Sequence, residues 1–234
     1  MTLQGNKLGR LAATATRAVM VAAIALAGGC ARASGATGGV ALPSPAVDAP
    51  RAAKPAKQTV VFAGGCFWGV QAVFQHVKGV ADATSGYAGG TADTAQYPIV
   101  STGETGHAES VRVTFDPAQV SFGQLLKVFF SVAHDPTELN RQGPDEGTQY
   151  RSAIFFTSPE QQRIAGAYVA QLDAAKVFGS RIVTQLAPLQ AFYPAEAYHQ
   201  NYATLHPDNP YILINDAPKV AQLRRLFPDL YRGN

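Results

Sequence analysis

The sequence predicts an α+β domain. Short β-branched runs and helical periodicities are interspersed along the chain, and the connections are rich in its 22 glycines and 15 prolines. No dinucleotide fingerprint appears, which removes the argument for a doubly wound parallel sheet. The 234 residues suit one large domain, and 47% apolar composition suffices for a sizeable core. A formal charge of +3 is scattered rather than striped, so no nucleic-acid partner is expected.

The chain opens with Lys7, Arg10 and Arg17 ahead of the apolar run Ala18 to Ala27, which is the pattern of an export signal over residues 1–33. That run is too short to span a bilayer comfortably. Its C-terminal side is compatible with two processing outcomes. Leu26-Ala-Gly-Gly-Cys30 resembles a lipobox, with Cys30 lipidated and the protein anchored to a membrane. Ala31-Arg32-Ala33 would instead be cleaved before Ser34 to give a soluble periplasmic protein. In either case the mature chain keeps one thiol, Cys66, and no internal disulfide is expected. Residues 34–57, rich in Ala, Gly, Pro and Ser, read as a flexible tether, which places the start of the folded domain, 58–234, near Gln58.

Thr59 to Ala63 is a β-branched apolar run closed by Gly64-Gly65, which reads as a buried strand ending in a tight turn. Phe67, Val70, Phe74 and Val77 then recur at helical spacing, putting Cys66 at the cap or in the first turn of a helix. Backbone N–H groups and the helix dipole favour an anion there, so this thiol is expected to ionise readily and act as a nucleophile. His107 to Phe115 alternates as a strand, with Glu109, Val111, Val113 and Phe115 on one face. A carboxyl on an apolar face is desolvated, which raises its pKa and suits it to donate a proton.

Ser121 and Gln124 form a capping box ahead of a helix containing Leu125 to Val132. Tyr150 to Phe156 is expected as a strand. Ser158-Pro159 with Gln161 starts another helix, whose buried stripe is Ile164, Tyr168, Val169 and Leu172. Ile182 to Leu186 is expected as the last strand. Near the end, Asp216 is placed as a cap for a helix with the stripe Val220, Leu223, Leu226 and Phe227. His107, His134, His199 and His206 lack metal-ligand spacing, so no metal site is expected.

Gly65-Cys-Phe-Trp-Gly69 resembles the signature of the A-type peptide-methionine sulfoxide reductases. Gly86-Tyr-Ala-Gly-Gly90, Gly106-His-Ala-Glu109, His134-Asp-Pro136, Gly147-Thr-Gln-Tyr-Arg-Ser152 and Tyr198-His-Gln200 resemble further blocks of that family, in the same order. The resemblance covers roughly residues 58–212. It implies a two-layer sandwich around a mixed β-sheet, a ferredoxin-like core with loop-rich additions, and no cofactor. It also implies reduction of the S epimer of methionine sulfoxide, free or in proteins, through a sulfenic acid on Cys66. By the same resemblance Glu109 is the proton donor, Tyr97 and Tyr150 hold the sulfoxide oxygen, and Asp145 supports them. Phe67 and Trp68 would receive the substrate methyl group.

Many members carry a resolving cysteine near the C-terminus, and 211–234 has none. Regeneration is therefore expected to use an external thiol such as thioredoxin. Two rivals remain at this level. One is a cysteine hydrolase or acyl transferase, for which no histidine can be assigned as base from spacing alone. The other is an envelope binding module with a packed, slowly alkylated Cys66.

Overall fold

The computed structural model describes residues 42–233. The export signal, Cys30 and the first part of the expected tether lie outside the described residues. Among those described, no helix is long and apolar enough to cross a membrane.

A six-stranded mixed sheet is the frame, in the order β7-β6-β1-β3-β2-β8. The strands are β1 (Gln58–Ala63), β2 (Val80–Ala88), β3 (Ala108–Phe115), β6 (Ala153–Phe156), β7 (Gln185–Pro188) and β8 (Phe192–Pro194). All neighbouring pairs are antiparallel except β6 with β7. A separate two-residue ladder joins β4 (Arg141–Gln142) to β5 (Asp145–Glu146). The helices are α1 (Phe67–Gln75), α2 (Tyr97–Val100), α3 (Phe122–Val128), α4 (Pro159–Ala174), α5 (Tyr202–Leu205) and α6 (Ala217–Leu226).

Strand alternation divides the core in two. Val60 and Phe62 of β1, with Val111, Val113 and Phe115 of β3, face the main core with α1, α3 and α4. Val61 and Ala63 face a smaller cluster with Ala88, Ala108, Ala153 and Phe155, covered by Leu189 and Phe192. Phe62 stacks between Phe74 of α1 and Phe129 beyond α3, at centroid distances of 4.9 and 4.7 Å.

The capping box of α3 is complete in both directions. Ser158 caps α4, whose Ile164, Tyr168 and Leu172 are buried.

Four expectations need correction. Residues 42–57 are no loose tether. Leu42 is buried, the Tyr168 hydroxyl donates to the Pro43 carbonyl, and Asp48 accepts from Gly123 N and Ser121 Oγ at the start of α3. The packed body thus begins by Leu42, because a carboxylate and one leucine anchor an otherwise plain Ala/Pro stretch. Tyr150 lies in a 3-10 turn, Thr148–Tyr150, and the strand starts only at Ala153. The strand expected at Ile182 starts at Gln185 and is followed by β8. Ile182 is instead buried, its backbone N–H donating to Asp173. Finally, Asp216 occupies the position before α6, but its side chain makes no cap hydrogen bond there.

Candidate active site

The turn between β1 and α1 sets the position of the thiol. Gly65 has φ +85°, and a Cβ there would come within 2.6 Å of Gln142, so the chain can reverse this tightly only with glycine. Cys66 is the residue before α1, with φ −51° and ψ 124°, and is 8% exposed. Among the described residues it is a free cysteine.

Glu109 reaches the same place from the sheet. It lies one pleat beyond Val111 on the main-core face of β3, directly opposite Tyr87 of β2, where β3 runs beside the end of β1. Its Oε2 accepts from Phe67 N at 3.1 Å, the first amide of α1 and the one after Cys66. Acid and thiol are therefore tied to adjacent residues. Burial raises the Glu109 carboxyl to about 8, against the lowering effect of the Phe67 amide, with Asp145 and Asp216 adding to the rise. At neutral pH the group holds its proton.

The thiol does not behave as its place on the helix suggests. Burial pushes Cys66 well above its ordinary range; Glu109, which has ionised by the pH at which this thiol titrates, and Asp216 add to this. The Trp68 amide and Lys219 pull the other way and do not prevail. The helix dipole is outweighed by desolvation and by carboxylates from other elements, none of which local sequence reveals. Slow alkylation near neutral pH therefore does not distinguish an inert thiol from this one.

Aromatic side chains pack around the thiol and the acid. Phe67, 1% exposed, packs on Tyr87 at 5.9 Å and on His199 at 5.0 Å. Trp68 is half-buried. It stacks on Tyr202 at 3.8 Å, meets Tyr211 edge-on at 5.9 Å and donates through Nε1 to His199 Nδ1 at 3.2 Å. Tyr97 packs on His199 at 4.5 Å. Burial raises the Tyr97 and Tyr150 hydroxyls above their usual range, with Glu109 and Cys66 contributing to both, so each stays a donor at neutral pH. Asp145 accepts from the Tyr211 hydroxyl, and its carboxyl is also raised by burial.

All seven residues predicted from the sequence thus fall in one neighbourhood. Three contributors escape the sequence pattern. Tyr211 holds Asp145 and walls Trp68. Glu196 accepts from Tyr97 N at 2.9 Å and from the Tyr87 hydroxyl at 2.8 Å, fixing the loop that carries Tyr97. His199 is the shared packing surface of Phe67, Trp68 and Tyr97. No local pattern announces Tyr211 or Glu196. His199 lies within the Tyr198-His-Gln200 block, and its place in that block is the one signal that could have found it. Two further histidines are structural: His107 takes Gly90 N and faces the Thr91 carbonyl, while His134, held neutral by burial with a pKa of about 4, contacts the Phe129 carbonyl and bonds Ser152 Oγ at 2.7 Å.

Residues 58–230 match the family model described as peptide methionine sulfoxide reductase. The chain is 60% identical over 179 residues to the peptide methionine sulfoxide reductase MsrA 2 of Mesorhizobium japonicum, covering 76% of this chain and 92% of that one. To the protein of the same name from Synechocystis it is 52% identical over 190 residues, covering 80% and 89%. Among solved structures it is similar to the methionine sulfoxide reductase A of Corynebacterium diphtheriae, with 38% identity, a TM-score of 0.57 and coverage of 66% of this chain and 77% of that one. It is also similar to Mxr1 of Saccharomyces cerevisiae in its reduced form, with 32% identity, a TM-score of 0.60 and coverage of 65% and 87%.

Proposed function

Since the chain belongs to the A-type peptide methionine sulfoxide reductase family, and so is an oxidoreductase acting on methionine sulfoxide, we propose that it reduces the S epimer through a sulfenic acid on Cys66, with Glu109 as proton donor. One observation carries the reading: a buried carboxyl, protonated to about pH 8, bound to the amide next to the nucleophile.

The sulfoxide enters with its methyl group toward Trp68 and Phe67, and its oxygen toward Glu109, Tyr97 and Tyr150. Oxygen leaves sulfur poorly without a proton, so the neutral acid is needed at the first step. Hydrogen bonding to oxygen makes the substrate sulfur electrophilic, and the Cys66 thiol gives up its proton as Sγ bonds to that sulfur. Glu109 protonates the oxygen and recovers a proton from the thiol. The S–O bond of the substrate then breaks, the hydroxyl leaving with its electron pair and bonding to Sγ, while methionine departs with the electron pair of the S–S bond. Two electrons have passed from Cys66 to the substrate, leaving a sulfenic acid on the reversible rung of cysteine oxidation. Thiolate need not exist in the resting enzyme, because substrate and acid supply the driving force for its formation.

Regeneration by an external dithiol such as thioredoxin, or by two monothiols, yields a disulfide and water and restores Cys66. The chain from Tyr211 onward offers no second cysteine. Free and protein-bound substrates are both part of the proposal. So is export, supported by the basic and apolar start of residues 1–33, with a lipidated Cys30 or cleavage before Ser34 as its two forms. The ferredoxin-like description of the core is supported by the antiparallel order β6-β1-β3-β2, with α1 connecting β1 to β2.

The test is turnover of separated S and R epimers with dithiothreitol, comparing wild type, Cys66→Ser and Glu109→Gln. Expected are reduction of S alone, complete loss in the first variant and a loss of about 100-fold or more in the second. Equal reduction of both epimers, or full activity of Glu109→Gln, would overturn it.

A further inference from the structure

A buried ion pair stands beside the nucleophile and is not used by the chemistry above. Lys219 Nζ lies 3.2 Å from Asp216 Oδ1, with the carboxylate fully buried and the ammonium side chain 13% exposed. The pair presses on α1 at Gly69, where a Cβ would overlap Asp216 Oδ1 outright and come 2.8 Å from Lys219 Nζ. Gly69 follows Cys66 by three residues, so the two positions are neighbours along one side of the helix. A glycine in the first turns of a helix carries a propensity cost, and here its effect is to let a charge pair approach the backbone one turn from the thiol. Asp216 Oδ2 is buried without a hydrogen-bond partner, and burial raises this carboxyl while Lys219 pulls it back down.

We propose that Asp216 and Lys219 are positioning residues for the reaction. Asp216 is a fixed negative charge that reinforces, beside Glu109 and Cys66, the hold that burial gives them on their protons, and Lys219 is the counterion that favours the ionised form of Asp216 against its burial. This rests on Glu109 being the proton donor. Glu109 and Cys66 are faced by Tyr87 from β2, Tyr97 from α2, Asp145 from β5, Tyr150 from the turn after it, Tyr211 from the C-terminal segment, and the Asp216–Lys219 pair. Tyrosines are neutral in this range, and Asp145 is engaged by Tyr211. Asp216 raises both Glu109 and Cys66, whereas Lys219 lowers Cys66, so the two members of the pair oppose one another on the nucleophile.

The experiment measures, on the full chain, the pH profile of kcat/KM for methionine sulfoxide and the rate of iodoacetamide alkylation of Cys66. Wild type, Asp216→Asn, Lys219→Arg and the uncharged pair Asp216→Asn with Lys219→Met are compared, folding being checked by circular dichroism. In Asp216→Asn the alkaline limb, near pH 8 in wild type, moves down by about half to one pH unit, while alkylation at pH 7 rises about 3- to 10-fold. Turnover at pH 8 falls as alkylation rises, a divergence that general loosening would not produce. Lys219→Arg keeps the wild-type limb. If Asp216→Asn fails to fold, the uncharged double variant reports the same downward limb. An unmoved limb in the folded variants overturns the pairing role and leaves the Glu109 assignment intact. Absence of any alkaline limb in wild type would instead point to failure of that assignment.

Discussion

Replacing Glu109 with Gln separates what the acid does for chemistry from what it costs the fold. The amide keeps the shape and can still accept from Phe67 N, but it has no charge to bury. In the wild type the carboxyl rises from an ordinary 4.5 to about 8, so the folded state binds this proton more tightly than the unfolded state does. Its contribution is therefore fully present below about pH 4.5 and is lost as pH rises through 8. Worked between pH 5 and 9, those two values amount to about 4 kcal/mol, at 1.36 kcal/mol per pKa unit over the part of the window titrated. Urea unfolding of both proteins across this range should show wild type losing about 4 kcal/mol relative to Glu109→Gln, the variant being the more alkali-resistant. Parallel stability curves would refute a buried, proton-holding Glu109. Raised groups that do not interact with Glu109, such as Tyr168, cancel in the difference, which is why the comparison is made between variants.

Resting Cys66 should be alkylated by iodoacetamide more slowly at pH 7 than a free cysteine, the rate climbing past pH 9; fast labelling at neutral pH would contradict the desolvation argument. Tyr211→Phe releases Asp145 and should lower kcat/KM about tenfold, the scale of a hydrogen bond to a charged group. Steady-state kinetics indistinguishable from wild type would remove Tyr211 from the site. A chain truncated to begin at Gln58 should lose about 3 kcal/mol, from the burial of Leu42 and the Asp48 contacts to α3. Unchanged denaturant midpoints would show that residues 42–57 are a tether after all.

Periodicity carries most of the fold because the elements near the site are locally coded. The β-branched run, Gly-Gly turn and helical stripe around Cys66 place the thiol without reference to anything distant. The alternation of β3 likewise puts Glu109 on the buried face. What escapes lies where distant segments meet. Asp48 looks like loop composition until it caps α3, and Tyr150 reads as strand because its turn geometry comes from the hairpin before it. The ionisation of Cys66 is illegible for the same reason: its helix is visible in sequence, whereas Glu109 and Asp216 arrive from 43 and 150 residues away.

Single turnover without reductant tests the central claim most directly. Enzyme mixed with excess S-epimer methionine sulfoxide should release one methionine per chain and gain one oxygen, located by mass spectrometry and dimedone trapping on Cys66, with no crosslink within the chain. Methionine formation by Cys66→Ser at the wild-type rate, or an oxygen found elsewhere, would contradict it.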